Sequence, residues 1–499
     1  MPLVTLPAPF LGWNTVDSVA EIPPGMASTL DNIFPSTSSC NSRKGISEYA
    51  TSLGSGNVDS LFELKAANVN KFISASSGNI YDISSSGAGT LLASGFSSNQ
   101  WQASVFNAQL GLVNGTDAPQ VYDGSTVSAM TVSGSGLTIT NLNSMLTFKN
   151  RTYFTELNSQ DFWYSALSTL GGVLTKFPLS KVGNFGGNLI AIQGLTNDGG
   201  GGQDDYLCFF MSTGEIIIYS GTDPSSDFSL IGIFYAGRPL STRGIIKFGA
   251  DIFFITNNGY HPISSLLPLS YGKDNSGLSK YIKGAASSSA QSFSASFGWQ
   301  AILAPAENFL LVNVPQSNGQ FVQHVLNVNT NAWCRFTGIQ ARCWGIFGNT
   351  LYCGGTDGKV YMYGPNYLDG TNTPIVQTYI PGYMNLQALT KNPLSSGGSQ
   401  ITRTTAIRPR IRFDSQFSLT LSASVDFKPY TTPYTLTFPS IGCQWGDPWG
   451  SPWAQTNSFI NFLSFNTLGY NVAVKMVFSC SSATEFYETN FLIQTGSRI

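Results

Sequence analysis

Two histidines, three acidic pairs, a tryptophan triplet and one basic run are the residues through which this chain could do chemistry. His261 in NGYHPI and His324 before VLNV are its only histidines. A Ser-His-Asp triad would have to use one of them, and no nucleophile elbow accompanies either. Neither stands at a Cys/His/Asp spacing suited to a metal, so a structural or surface histidine is favoured. Paired carboxylates can cleave glycosidic bonds without histidine. The candidates are Glu156 with Asp161, Asp204 with Asp205, and Asp223 with Asp227. All three pairs fall in or beside turns, where acidic side chains cap and solvate, and the Asp-box SxDxGxxW of sialidase-type blades is missing. GGGGQDD resembles a phosphate loop only in glycine content, because it lacks the Lys-Ser/Thr that reaches phosphate and metal.

CQWGDPWGSPW at 443–453 places Trp445, Trp449 and Trp453 among Gly-Asp-Pro and Gly-Ser-Pro steps that forbid a regular helix. The three rings make either an aromatic ledge for carbohydrate or a partner subunit, or anchors that pin a loop. The structural or subunit-interface reading is favoured. Arg403, Arg408, Arg410 and Arg412 form the densest basic run. Strand alternation sets Arg408, Arg410 and Arg412 on one face. A solvated or inter-subunit salt-bridged face is favoured over a DNA contact. No catalytic residue, cofactor site or metal site is expected, and the protein reads as a non-enzyme.

The elements that would position these residues are almost entirely strands. Short apolar runs bounded by Gly, Asn, Asp and Ser dominate, and helical periodicity is nearly absent. A Gly-marked turn followed by a strand with Tyr or Trp recurs: GNIYDI at 78–83, PQVYDG at 119–124, QDFWYS at 160–165, GEIIIY at 214–219, NGYHPI at 258–263 and GKVYMY at 358–363. Most copies lie roughly 40–55 residues apart, near the period of about 40–50 of four-stranded propeller blades. HVLNVNTNAW at 324–333 fills the one wide gap. The expectation is an all-β chain: a propeller of about six to seven blades over 51–370, with a C-terminal β-sandwich-like platform over 371–499. Asn114-Gly115 and Asp357-Gly358 read as its hairpin turns, and TNDGGGGQDD at 196–205 as an inserted flexible loop. The Pro-rich residues 1–50 read as an extended arm placed against the C-terminal domain, with a short helix near Met26–Asn32. LDGTNTPIVQTYIPGY at 368–383 and TKNPLSSGGSQ at 390–400 read as linkers.

Composition narrows the function classes. Charged residues make up only 10 % of the 499 residues, against about 25 % in typical globular proteins. With 25 Lys+Arg against 27 Asp+Glu the net charge is −2, so strong non-specific binding to a nucleic-acid backbone is not predicted. A weakly charged exterior suits one covered by neighbouring subunits. The seven cysteines (Cys40, Cys208, Cys334, Cys343, Cys353, Cys443 and Cys480) form no CxxC pair and read as small buried hydrophobes. No apolar run reaches the roughly 18 residues that span a bilayer, and the start lacks the basic region of a secretion signal. No membrane insertion is expected, and synthesis in a cytoplasm is.

Several segments together resemble one family. GWNTVDSVAEIPPGMASTLDNIFPSTSSCNSRKG at 12–45 carries a Gly-x-Asn, a proline-glycine phrase, an Asp-Asn-x-x-Pro and an Arg-x-Gly. FKNRTYFTELNSQDFWYSA at 148–166 is similar to a blade of the same group. CQWGDPWGSPW and YNVAVKMVFSCSSATEFYETNFLIQ resemble its C-terminal domain. These features resemble the tail nozzle (tail hub, or head-stabilising) proteins of short-tailed bacteriophages. The resemblance is specific at 12–45 and 148–166 and slight between about 270 and 400. It implies a structural virion protein of the tail, assembled in the host cytoplasm. Six copies would form a ring below the head-to-tail adaptor protein. Double-stranded DNA would pass through the lumen without specific binding, and tail fibres and a tail-tip protein would be further partners. The resemblance carries no catalytic residues. The rival reading is a receptor-binding or glycan-degrading, tailspike-like propeller, and a third is a secreted lectin-like propeller.

Overall fold

The computed structural model describes residues 2–198, 203–266, 277–389, 401–438 and 461–495. Trp445, Trp449, Trp453, Cys443 and all of the 390–400 segment lie outside them. The chain forms two units. One comprises Glu48–Phe321 and Gln340–Tyr363; the other comprises Met1–Ser47, Val322–Ile339 and Gly364–Ile499. The continuous 51–370 segment read from the sequence is thus interrupted, because Val322–Ile339 belongs to the second unit.

The first unit is a β-propeller. Four antiparallel meanders of four strands follow one another, opened by Val58–Ala66, Gln102–Phe106, Leu142–Phe148 and Leu189–Asp198. A three-stranded fifth blade begins at Ile245–Phe248, and the hairpin of Gln300–Ala304 with Phe309–Pro315 forms the sixth. The seventh joins Cys343–Phe347, Thr350–Gly354 and Val360–Tyr363, with Ile46–Thr51 on its outer side. The last blade is therefore closed by a strand from the other end of the chain, and the ring is latched without a covalent link.

The recurring aromatic phrase is the third strand of its blade: Asn79–Asp82, Gln120–Tyr122, Phe162–Tyr164, Glu215–Ser220, Gly259–Pro262 and Val360–Tyr363. Its rings fill the seams between neighbouring blades. Tyr153, Phe162 and Tyr164 pack with Phe209, Ile217 and Tyr219, and Tyr81 packs with Leu61, Tyr352 and Val360. Hydrophobic burial thus holds blade against blade, at roughly 1.5–3 kcal/mol for each large apolar side chain.

Two details depart from the sequence reading and one agrees with it. The 196–205 insertion lies largely in a hairpin, since Leu189–Asp198 and Gln203–Met211 stay in register out to Asp198 opposite Gln203. A helix at Lys283–Phe293 buries Ala286 and Ala290. Its signal was only that i, i+4 alanine pair within a Ser-rich stretch. The Asp357-Gly358 turn has its expected positive φ of 72° at Gly358, and a Cβ there would lie 2.0 Å from the Gly54 carbonyl oxygen.

The second unit is a β-sandwich. One sheet runs Leu463–Gly469, Thr402–Phe413, Thr484–Thr495, Cys40–Ser42 and Ile33–Pro35, with Leu3–Pro7 also on Thr484–Thr495. The other runs Trp333–Phe336, Thr29–Asp31, Thr373–Ile380, Val472–Cys480, Phe417–Val425 and Tyr434–Phe438. Phe413 stacks on Phe417 at 4.4 Å and Tyr379 meets Phe486 edge-on at 5.4 Å, joining the two sheets. The N-terminal arm supplies strands to both. The helix expected near Met26–Asn32 is instead two short strands, Met26–Ala27 and Thr29–Asp31, ended by Asn32 at φ 59°. The linker expected at 368–383 contains the strand Thr373–Ile380, which is central to its sheet.

Candidate functional site

In the sandwich unit the residues of the 12–45 motif converge on one buried arginine. Arg43 is 1 % exposed, and all five of its N–H bonds are used. Its Nη1 and Nη2 donate to the two Asp369 carboxylate oxygens at 2.8 and 2.5 Å. The remaining hydrogens go to the Lys44 and Thr337 carbonyls at 3.0 and 2.9 Å and to Asn32 Oδ1 at 2.7 Å. Asn32 is saturated in turn. Its Oδ1 also accepts the Thr337 N–H, and its Nδ2 donates to Thr337 Oγ1 and the Val376 carbonyl. One residue earlier, Asp31 receives a bidentate pair from Arg335 at 2.7 and 2.8 Å, and that guanidinium lies 5.4 Å from the Trp13 ring centre. Gly45 is required by contact: a Cβ would sit 1.9 Å from the Leu368 carbonyl oxygen. Gly12, at φ 94°, similarly abuts the Trp333 backbone at 2.7 Å. The Gly-x-Asn, Asp-Asn-x-x-Pro and Arg-x-Gly elements are therefore one clamp. It ties together the three separate stretches of chain that make up the unit.

In the propeller unit, the first strands of all seven blades line one axial cavity of about 240 Å³. Polar residues of these strands, among them Gln102, Ser144, Gln193 and Gln300, line it together with Arg243. Arg243 leaves the short turn Thr242–Gly244 ahead of the fifth blade and reaches the first and second. Its Nη1 donates to the Asp59 carbonyl at 2.5 Å, and its Nη2 to Ser60 Oγ at 2.8 Å and the Trp101 carbonyl at 2.7 Å. Burial, the dominant influence, lowers its pKa. Arg342 pairs with the Asp59 carboxylate at 2.8 Å, and both guanidiniums lie over the Phe297 ring, at 4.7 Å for Arg342 and 5.3 Å for Arg243. No local pattern signals this cluster, since Arg243 and its partners are 142 to 184 residues apart.

The acidic pairs are engaged structurally. Glu156 accepts the Thr138 N–H and Trp163 Nε1. Asp161 accepts the Ser180 N–H and pairs with Lys176; burial alone would raise its pKa, but these partners hold it below the usual range. Asp205 is lowered chiefly by its bond to Lys149 at 2.5 Å. Asp223, bonded to Ser225 and Arg151, and Asp227, which accepts the Asp223 and Thr222 N–H groups, are lowered as well. A glycosidase acid needs a raised pKa, so these four aspartates are poor candidates. The side chain of Asp204 is outside the described set.

His261 lies 5.9 Å from the Phe254 ring, and burial followed by the Lys283 charge pushes it down to about 4. His324 meets Trp13 at 5.2 Å, and burial followed by Arg335 takes it to about 3. Both are neutral at pH 7. The charges acting on them are cations, whereas a triad histidine is held by a carboxylate. Among the described residues, no group of three His, Cys, Asp or Glu side chains could hold a metal, and the six described cysteines are buried thiols outside any disulfide.

Arg408, Arg410 and Arg412 do share a face, between buried Ile407, Ile411 and Phe413. Their partners are within the chain: Arg410 meets Glu488 at 2.9 Å, Arg412 meets Glu485 at 3.6 Å, and Arg408 covers the Phe462 ring at 4.5 Å. Arg403 donates to Asn466 Oδ1.

No family model matches the chain, and no curated protein matches it. Solved structures with which it aligns include Raptor of Chaetomium thermophilum, at 11 % identity and a TM-score of 0.39, over 64 % of this chain and 29 % of that one. BBS1N in complex with ARL6DN aligns at 12 % identity and 0.38, over 65 % and 98 %. YCF48 bound to D1 peptide aligns at 7 % identity and 0.35, over 67 % and 97 %. The chain thus spans less than a third of the Raptor chain. At these scores the assignment of a propeller rests on the strand order itself.

Proposed function

We propose that the protein is a structural virion subunit that forms a ring-shaped tail nozzle of a short-tailed phage, a conduit for DNA below the head-to-tail adaptor. The observation that carries this reading is the Arg43 clamp. The segment with the specific resemblance, 12–45, puts its signature residues into buried structural bonds, as a load-carrying subunit requires. The low charge supports the same reading: a net charge of only −2 suits subunit contacts and the passage of DNA without tight phosphate binding. Partners in this reading are further copies of the chain (six by the resemblance), the adaptor, fibres and a tail-tip protein. Electron microscopy of the purified chain, alone and mixed with the adaptor, tests it. Closed rings that stack coaxially on the adaptor are expected. A chain that stays monomeric in both samples and cleaves host glycans would refute the nozzle and favour the tailspike-like alternative.

A further inference from the structure

We propose that the axial cavity of the propeller is a binding site for a small oxyanion of the phosphate or sulfate class. The first ground is charge. Arg243 is the one charged residue among the described residues that line the cavity. All three of its hydrogen bonds end on neutral oxygens, the Asp59 and Trp101 carbonyls and Ser60 Oγ. The carboxylate of Asp59 is engaged by Arg342. Two guanidiniums and one carboxylate therefore make up a largely buried cluster, which leaves a net positive charge beside the cavity. An uncompensated buried charge is costly, and an anion in the cavity removes that cost.

The second ground is the wall. Gln102 adjoins Trp101, whose carbonyl takes Arg243, and it lines the cavity together with Ser144 and Gln193. Residues of these types, drawn from three blades, carry neutral N–H and O–H donors, a suitable complement to a guanidinium around an oxyanion. The third ground is size. A cavity of about 240 Å³ holds about eight waters at ~30 Å³ each. Phosphate or sulfate with part of its hydration fits that space, whereas drug-sized ligands occupy about 300–1,000 Å³. The site is independent of the nozzle reading and would exist in a propeller of any role.

Isothermal titration of the full chain with sodium phosphate and with sodium sulfate, at constant ionic strength in chloride, tests the proposal. Saturable one-site binding of at least one of the two is expected. Arg243→Gln should abolish it. Because Arg243 also joins three blades, Gln102→Leu provides the second variant: it removes a wall amide but keeps the arginine, and should weaken binding roughly tenfold. Melting temperatures in the same salts separate site binding from general salting effects, which shift wild type and variant alike. Absence of saturable heat with both anions overturns the proposal. So does binding that is equally tight in the wild type and in a folded Gln102→Leu variant.

Discussion

Replacing Arg43 with Met should unfasten the sandwich unit and leave the propeller intact. The substitution keeps the approximate length of the apolar stem and removes five N–H donors. Asn32 Oδ1 keeps the Thr337 N–H, but the Lys44 and Thr337 carbonyls lose a donor and Asp369 loses its cation. Breaking a buried ion pair by removing one partner costs about 3–5 kcal/mol. Asp369 is 19 % exposed, so water can partly replace the arginine and the expected loss is near the lower end, about 3 kcal/mol. Arg43→Lys retains the charge but offers three donors without the planar fork, which predicts a loss of about 2 kcal/mol. A chain of two units does not unfold in one step, so a global midpoint is the wrong readout. Amide hydrogen exchange is local. The Arg43 amide donates to the Asn32 carbonyl and the Gly45 amide to the Asn366 carbonyl; where these amides exchange by opening of the sandwich unit, their protection should fall about 100-fold in Arg43→Met, since each 1.4 kcal/mol is tenfold. Phe209 and Ile217 in the propeller should be unchanged. The reasoning fails if protection at Arg43 and Gly45 drops less than threefold, or if Phe209 loses protection equally. A double-mutant cycle with Asp369→Asn should show a coupling of at least about 1 kcal/mol.

Gly45→Ala should prevent stable folding of the sandwich unit, because the new methyl carbon would meet the Leu368 carbonyl at 1.9 Å; strong native-like near-ultraviolet dichroism from that variant would contradict the packing. Ala50→Pro, in the strand that latches the seventh blade, should destabilise the propeller more than Ser128→Pro in the exposed outer strand of the second, as judged by protease nicking rates. The folded-state pKa of His261 is held at about 4, below its unfolded value of about 6.5. Below pH 6.5 the unfolded chain therefore binds the extra proton, and stability should decline as pH falls from 6.5 to 4. His261→Gln should flatten that decline in urea titrations across the window. Asp82 is shifted in the same direction, below its ordinary value. Burial raises its pKa, but the bonds to Lys71 and Ser84 outweigh burial and set it below the unfolded value. Its contribution is present above the unfolded pKa and is lost as pH falls through the folded one. The urea midpoints of wild type and Asp82→Asn should therefore differ at neutral pH and converge in acid.

What was legible in the sequence follows from the range of the interactions that produced it. The third-strand phrase repeats because every blade needs an aromatic at the same seam, so Tyr81, Tyr122, Phe162 and Tyr219 announce the propeller without any alignment. Strand alternation placed Arg408, Arg410 and Arg412 on one face, since period 2 is local. Their partners Glu488 and Glu485 were not legible, because the register is offset by bulges at Thr404/Ala406 and Arg410/Ile411. The arm was read as extended but not as part of two sheets. Its strands are two to five residues long up to Cys40–Ser42 and make sense only once paired with Thr484–Thr495 and Thr373–Ile380. The axial cluster was invisible for a stronger reason: Arg243, Asp59, Trp101 and Arg342 meet only when the ring closes.

The low charge content takes on a different meaning once the pairs are located. Arg43 with Asp369, Arg335 with Asp31, Arg342 with Asp59 and Arg151 with Asp223 engage arginines and aspartates inside their own units. Six of the eight side chains are less than 20 % exposed, so these charges act as fasteners more than as surface groups. Pairs of this kind add little net stability relative to a well-packed apolar core, but they fix which segments meet. In the proposed nozzle that distinction matters. A subunit that must hold one shape while DNA passes is served by directional bonds at the crossings of its chain. Its outer surface can then remain near neutral, since repulsion between like-charged neighbours would oppose ring closure.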